Sequence, residues 1–272
     1  MVTRFRKPAG LAVLIGLGMA CLVWAADPPP AGQRSVDAGQ LRPQWQMGDQ
    51  WIVETVSLPV QVRSAGIAQA KSQPIRWQFA VQKYEKVVSD DCYRVEIRCL
   101  EEGQQPTTVL WIDKKSQALK QMQTQIPVPG GFRTVSESYE FASGQPSPVL
   151  SPISALPVDL PLFQSGQSKG SQTFTYEANV GAAGTKAVGD LGFAYEIQQE
   201  IVEAQPDQVK GLVAEGFAKS LENKPVVEVK LKRFDRQVRQ LWQPGQPWPV
   251  YSSNGTTTCR LIEVIPAEKK SQ

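Results

Sequence analysis

Histidine is absent from the 272 residues. That removes every Ser-His-Asp and Cys-His mechanism, any imidazole base and any histidine-ligated metal. Ser168 lies in GQSKG, Gly166 to Gly170, which fits the pattern G-x-S-x-G. A nucleophile elbow needs a strand before that serine and a helix after it, whereas here a proline-rich stretch precedes it and a strand pattern follows. The histidine-free spacing S-x-x-K does not occur. The adjacent acids Asp90 and Asp91 could hold a cation or share acid and base roles, but their place after Ser89, between two strand patterns, reads as a turn. A carboxylate dyad assembled from distant strands would leave no trace in the sequence, so a histidine-free carboxylate enzyme stays open as one reading.

Cysteine chemistry is bounded in the same way. Beyond the N-terminal Cys21 there are Cys92, Cys99 and Cys259, and no C-x-x-C pair that would mark a zinc ribbon or a thioredoxin-like site. Cys92 and Cys99 share one strand pattern, which at ~3.3 Å per residue sets them ~23 Å apart. Any intramolecular disulfide must therefore use Cys259, and Cys99 and Cys259 are the disulfide candidates. No metal site and no cofactor is implied.

The aromatic side chains are the more informative candidates. Trp77, Phe79, Trp111, Phe193 and Tyr195 fall in alternating strand patterns. They either fill a core or line a hollow wide enough for an apolar ligand. LWQPGQPWPVY, Leu241 to Tyr251, raises a separate choice between a corner and a contact site. Pro244 and Gly245 suit the central positions of a type II turn, and Pro247 and Pro249 cannot donate to a ladder. The segment is therefore expected to end one strand and feed the next, with Trp248 and Tyr251 as an exposed pair at the rim, open to a partner. On that expectation Trp242 is structural and Trp248 dispensable for stability.

The elements that must carry these residues follow from the spacing. Arg4, Arg6 and Lys7 precede an apolar run from Leu11 to about Trp24, and small residues follow, as in a secretory signal peptide spanning 1–25. The run is shorter than the ~20 residues of a membrane span. GMAC, Gly18 to Cys21, resembles a bacterial lipoprotein signal, so a membrane tether is expected only if Cys21 is lipidated. Removing 1–25 takes away Arg4, Arg6 and Lys7 and lowers the net charge from +3 to zero, which leaves a nucleic-acid partner without an electrostatic basis. Export, to a periplasmic or extracellular location, is the expected address.

Residues 26–40 read as a flexible leader, 41–266 as a single β-rich domain and 267–272 as a tail. Within the domain the dominant period is two. IRWQFAV puts Ile75, Trp77, Phe79 and Val81 on one face, and CYRVEIRC alternates Tyr93, Val95, Ile97 and Cys99 with Arg94, Glu96 and Arg98. Residues 142–170 form a long proline-rich connection whose leucines and Phe163 suggest that it packs across one side of the fold. One helix is expected near 207–223, with Asp207 as its cap. Basic residues cluster in KLKRFDRQVR, Lys230 to Arg239, at strand spacing, as a solvated face would have them. The fold class is therefore mainly β: a curved antiparallel sheet or half-barrel with one helix and a proline-rich connection.

VLWIDKKSQALKQMQTQ, with its aromatic and Asp entering a polar turn between strands, resembles the LolA/LolB-like lipoprotein carriers of the bacterial envelope over Gly48 to Phe141. The resemblance implies a half-barrel whose apolar hollow receives acyl chains, with Trp77, Phe79 and Trp111 facing it. Together these readings give an exported, non-catalytic envelope protein that binds an acyl chain or lipoprotein. The alternative is a structural or partner-binding β module with a filled core, whose protein partner docks at an edge strand.

Overall fold

The computed structural model describes residues 36–57, 73–103, 105–140, 146–150, 156, 158–164, 169–180, 185–189, 195–214, 225–233 and 236–267. They belong to one compact unit that begins at Gln33. It is mainly β, as the period of two requires.

The first half is a meander of long hairpins: β1 (Gln50–Ser57), β2 (Ile75–Val87), β3 (Asp90–Cys99), β4 (Thr107–Asp113), β5 (Leu119–Val128) and β6 (Gly131–Glu140). After the proline-rich connection come β7 (Lys169–Val180), β8 (Thr185–Gly189) and β9 (Tyr195–Glu203). Helix α1 (Pro206–Ala214) precedes β10 (Val227–Arg233), β11 (Arg236–Trp242), β12 (Tyr251–Ser253) and β13 (Thr257–Ile265). All pair antiparallel in one sheet of order β6-β5-β4-β3-β2-β1-β13-β12-β11-β10-β9-β7-β8. The first and last strands of the chain's folded part, β1 and β13, are thus neighbours. β7 is shared between the two halves: Thr173–Val180 pair with β6, while Lys169–Gln172 pair with β9.

Register sorts the side chains to two faces. Thr55, Cys259, Ser252 and Gln240 stand opposite one another across β1, β13, β12 and β11, and form one row on the inner face. The next row, Glu54, Arg260, Tyr251 and Leu241, lies on the outer face and continues to Glu228 on β10. Most of the inner face is apolar and packs into two clusters. The larger is built on β1 to β5 around Trp51, Phe79, Ile97 and Leu110, and the other on β9 to β11 around Ile197, Val229 and Trp242.

The outer face carries alternating charge instead. Glu54 pairs with Arg260 at 2.5 Å, Arg239 with Glu228, Lys230 with Glu200 at 3.0 Å and Arg94 with Glu96 at 3.7 Å. In the basic cluster on β10 and β11, Lys230 and Arg239 are thus paired with cross-strand acids. This polarity, apolar inside and charged outside, is the reverse of a lipid-facing barrel.

Three expectations change at this level. Val36 to Gln40, assigned by composition to the flexible leader, are folded: Ala38–Leu41 form a 3-10 turn capped by Asp37, and Leu41 is fully buried against Phe163 and Trp242. Val36, Ala38 and Leu41 together anchor a polar, glycine-containing stretch. Helix α1 begins at Pro206, a residue suited to a first helical turn because its missing N–H is not needed there. Asp207 sits inside that turn rather than capping it, and residues 215–224 lie outside the described ones. Ile75 is exposed at the end of β2 although its alternation partners Trp77, Phe79 and Val81 are buried.

Candidate functional site

The inner face is where sequence alternation placed a ligand, and the chain's own proline-rich connection occupies it. Val149 and Leu160 form an isolated antiparallel bridge, with backbone bonds of 2.8 and 3.0 Å. Around it Leu150, Leu156, Val158, Leu162 and Phe163 are all buried. Val149, Leu156, Val158 and Leu160 pack into the larger cluster and Leu150 and Phe163 into the smaller, so this plug joins the two.

A plug rich in proline cannot satisfy its backbone by a ladder, so inner-face side chains do it. The amide of Gln199 on β9 clasps Leu162 twice: its Oε1 accepts from the Leu162 N–H at 2.7 Å and its Nε2 donates to the Leu162 carbonyl at 2.8 Å. Gln240 on β11 donates to the Asp159 carbonyl at 2.7 Å and accepts from the Trp242 indole at 2.9 Å. Nη2 of Arg236 lies 3.2 Å from both Asp159 carboxylate oxygens. The sequence carries a signal for these residues. Gln199 interrupts Ile197 and Ile201, and Gln240 stands between Val238 and Trp242, each a polar residue on an apolar face.

At the end of the sheet where β1 begins, the filling is aromatic. Trp45 stacks on Trp51 at 5.7 Å, Trp51 on Phe79 at 5.3 Å and on Trp248 at 5.6 Å, and Trp248 reaches Phe79 at 4.9 Å. Such contacts are worth about 0.5–1.5 kcal/mol each beyond burial. The indole of Trp45 donates to the Pro247 carbonyl at 3.0 Å, tying the N-terminal segment to the corner. A groove of about 300 Å³ remains outside Trp45 and Pro247, bounded by Asp49, Gly245, Val264 and Ala267.

The candidate aromatic residues are therefore dispersed. Trp77 and Phe79 are buried within the larger cluster, and the Trp77 indole donates to Thr55 at 3.0 Å. Trp111 lies on the outer face, opposite Arg94, and its indole donates to Glu85 at 3.1 Å. That bond, ahead of the nearby cations Lys83 and Arg94, holds the Glu85 carboxyl below its ordinary range. Strand parity decides this: Leu110 and Ile112 take the inner positions of β4, so Trp111 cannot share a wall with Trp77 and Phe79. Phe193 lies outside the described residues, as does Ser168. Tyr195 is the first residue of β9, paired with Gln172.

The corner itself forms as expected: Gln246 donates to Gln243 across Pro244 and Gly245, and Gly245 has φ of 82°. Its aromatic residues do not form a rim pair. Trp248 is 1% exposed, and Tyr251 sits on the outer face beside Leu241 and Val250. The turn reverses the chain above the inner face, which sends Trp248 down between Trp51 and Phe79 before β12 begins.

The cysteine expectation changes as well. Cys92, Cys99 and Cys259 are all free thiols. β2 and β1 stand between β3, which carries Cys99, and β13, which carries Cys259; three strand spacings of ~4.8 Å exceed disulfide reach along the sheet. Burial, reinforced by Asp113 and Asp90, pushes the Cys92 thiol up to about 11. Burial with Asp159 nearby pushes Cys259 up to about 12.

Among the described residues, one inner-face acid has no cation beside it. Glu137 on β6 is buried between Val135 and Tyr139, and burial raises its pKa, an effect opposed by the bond it accepts from the Tyr139 hydroxyl at 2.7 Å. Asp90 instead pairs with Lys120 at 2.7 Å, and that bond lowers its pKa; Asp91 is exposed at the start of β3. No protein-family model, curated protein or solved structure matches the chain.

Proposed function

We propose that this protein is an exported, non-catalytic module of the cell envelope that docks a partner on a β scaffold filled by its own chain. The observation that carries this reading is the plug. Leu160, Val158 and Leu156, with Trp248 and Trp45, occupy the place that an acyl chain would take against Trp77 and Phe79. The Gln199 clasp and the Arg236–Asp159 pair fix the plug by directed bonds that an apolar ligand could not replace. Emptying the hollow would strand those groups in an apolar interior, at ~1–3 kcal/mol each.

The acyl-carrier role implied by the LolA/LolB-like resemblance needs an open hollow, and the packing favours the filled-core reading over it. Against a carboxylate enzyme stand the pairings of the inner and outer acids: Asp159 with Arg236, Glu228 with Arg239, Glu54 with Arg260. A place for a partner is present on β13. Of β13, β12 pairs with Thr258–Arg260, so among the described residues Ile262 to Ile265 have a strand, β1, on one side only, and Ile262, Val264 and Ile265 are exposed. Such an edge can accept an added strand.

The test is mass spectrometry of the purified protein under native conditions, with titration of palmitate followed by tryptophan fluorescence. Protein free of lipid and unchanged emission are expected. Co-purified acyl chains, or a saturable shift in emission, would restore the carrier reading.

A further inference from the structure

The β2–β3 hairpin ends in a residue that breaks a local rule. Val87 pairs with Asp90, so Val88 and Ser89 form a two-residue turn, and Val88 has φ of 56°. Two-residue hairpins place glycine, asparagine or aspartate at a positive φ, and a β-branched side chain there is strained. Val88 gains no packing in return, since it is 100% exposed. A strained, wholly exposed apolar residue gives the fold nothing and points to a role outside it.

Its surroundings identify the occupant. Tyr84 is 47% exposed on the same hairpin, and the Lys114 ammonium lies 3.9 Å from its ring centroid. The turn bearing Lys114 and Lys115 adjoins the tip through a bond from the Lys114 N–H to the Asp91 carbonyl at 2.9 Å. Lys86 and Lys115 are exposed, and neither they nor Lys114 form an ion pair among the described residues. The acids around the tip are Asp91, opposite Lys86; Asp90, taken up by Lys120; Glu85, bound to Lys83 and the Trp111 indole; and Asp113, buried and accepting from the Lys115 and Ser116 N–H groups. Positive charge around an apolar point, with a tyrosine between them, complements anionic headgroups above acyl chains.

We propose that the β2–β3 tip is a membrane-contact site: Val88 enters the interface of an anionic phospholipid bilayer, Tyr84 sits at headgroup level, and Lys86, Lys114 and Lys115 face the lipid phosphates. This is surface contact and does not depend on whether the core takes up lipid.

The compact unit from Gln33 onward carries every described element, so it can be tested without the apolar N-terminus. Co-sedimentation with vesicles of phosphatidylcholine and phosphatidylglycerol at 3:1 is compared with phosphatidylcholine alone. Pelleting only with the anionic vesicles is expected, weakened about fivefold by Lys115→Ala, as one lysine at such a surface contributes. Val88→Asn, suited to the positive φ, should pellet at least fivefold less while its melting temperature is unchanged or higher. Loss of binding together with higher stability is what a merely structural Val88 would not give. Equal pelleting with both vesicles, no pelleting with either, full binding by Val88→Asn, or a lower melting temperature for that variant would each overturn the proposal.

Discussion

Trp51 on β1 and Trp248 in the corner before β12 stack with ring centroids 5.6 Å apart, and both are fully enclosed. The corner thereby closes one end of the inner face. It also overturns the role the sequence suggests for Trp248, which is as much a core residue as Trp242.

Trp248→Ala is expected to lower stability by about 3–5 kcal/mol, as for other large aromatic truncations in a core. Trp242→Ala, which removes the contact with Phe163 at 5.2 Å, should cost a similar amount. Thermal melts of the two variants check this. A near-wild-type melt for Trp248→Ala would return that residue to the surface.

The clasp on the plug makes a second prediction. Gln199→Ala leaves both backbone groups of Leu162 buried without their partner, which should cost about 2–4 kcal/mol. Urea unfolding should show a lower midpoint with an unchanged slope. An unchanged midpoint would mean that the plug does not depend on the clasp.

The pH dependence attributable to Glu137 has a definite sign. Its pKa is raised in the fold above the ordinary 4.5, so the folded state holds that proton to higher pH than the unfolded chain. The group's contribution is fully present below the unfolded pKa and is lost as pH rises through the raised folded value. Glu137→Gln keeps an acceptor for Tyr139 and has nothing to ionise. The stability of the variant relative to the wild-type protein should therefore increase between pH 4 and pH 8. A difference that stays constant across that range would show that Glu137 does not titrate as its burial requires.

Thiol reactivity distinguishes Cys92, Cys99 and Cys259, the cysteines of the compact unit. With Cys92 at about 11 and Cys259 at about 12, each is almost wholly protonated at pH 8 and also shielded. Cys99 is only half-buried. A chromogenic disulfide reagent should label Cys99 in the native protein and the other two only on unfolding, and a reductant should leave the melting temperature unchanged. A reductant-sensitive melt would reinstate the bridge between Cys99 and Cys259.

Alternation of side chains alone made the β class legible, because a strand with one wet face must repeat every two residues. Trp77, Phe79, Val81, Val95 and Ile97 could be assigned to one buried face on that basis, and Pro244-Gly245 to a turn. Alternation also held the clue to the interior polar groups, since Gln199, Gln240 and Glu137 each interrupt an apolar face. It could not show what they bond to, because Leu162 and Asp159 come from a proline-rich stretch with no period. Tertiary structure alone decided that Trp111 faces away from Trp77, since the parity of one strand relative to the next depends on register. It alone decided that Trp248 is core, since the direction of a corner residue follows from where the turn delivers the chain. The covering of the inner face lay beyond the sequence for the same reason: one face of a sheet implies something to cover it, and only the folded chain places Val149, Leu156, Val158 and Leu160 against that face.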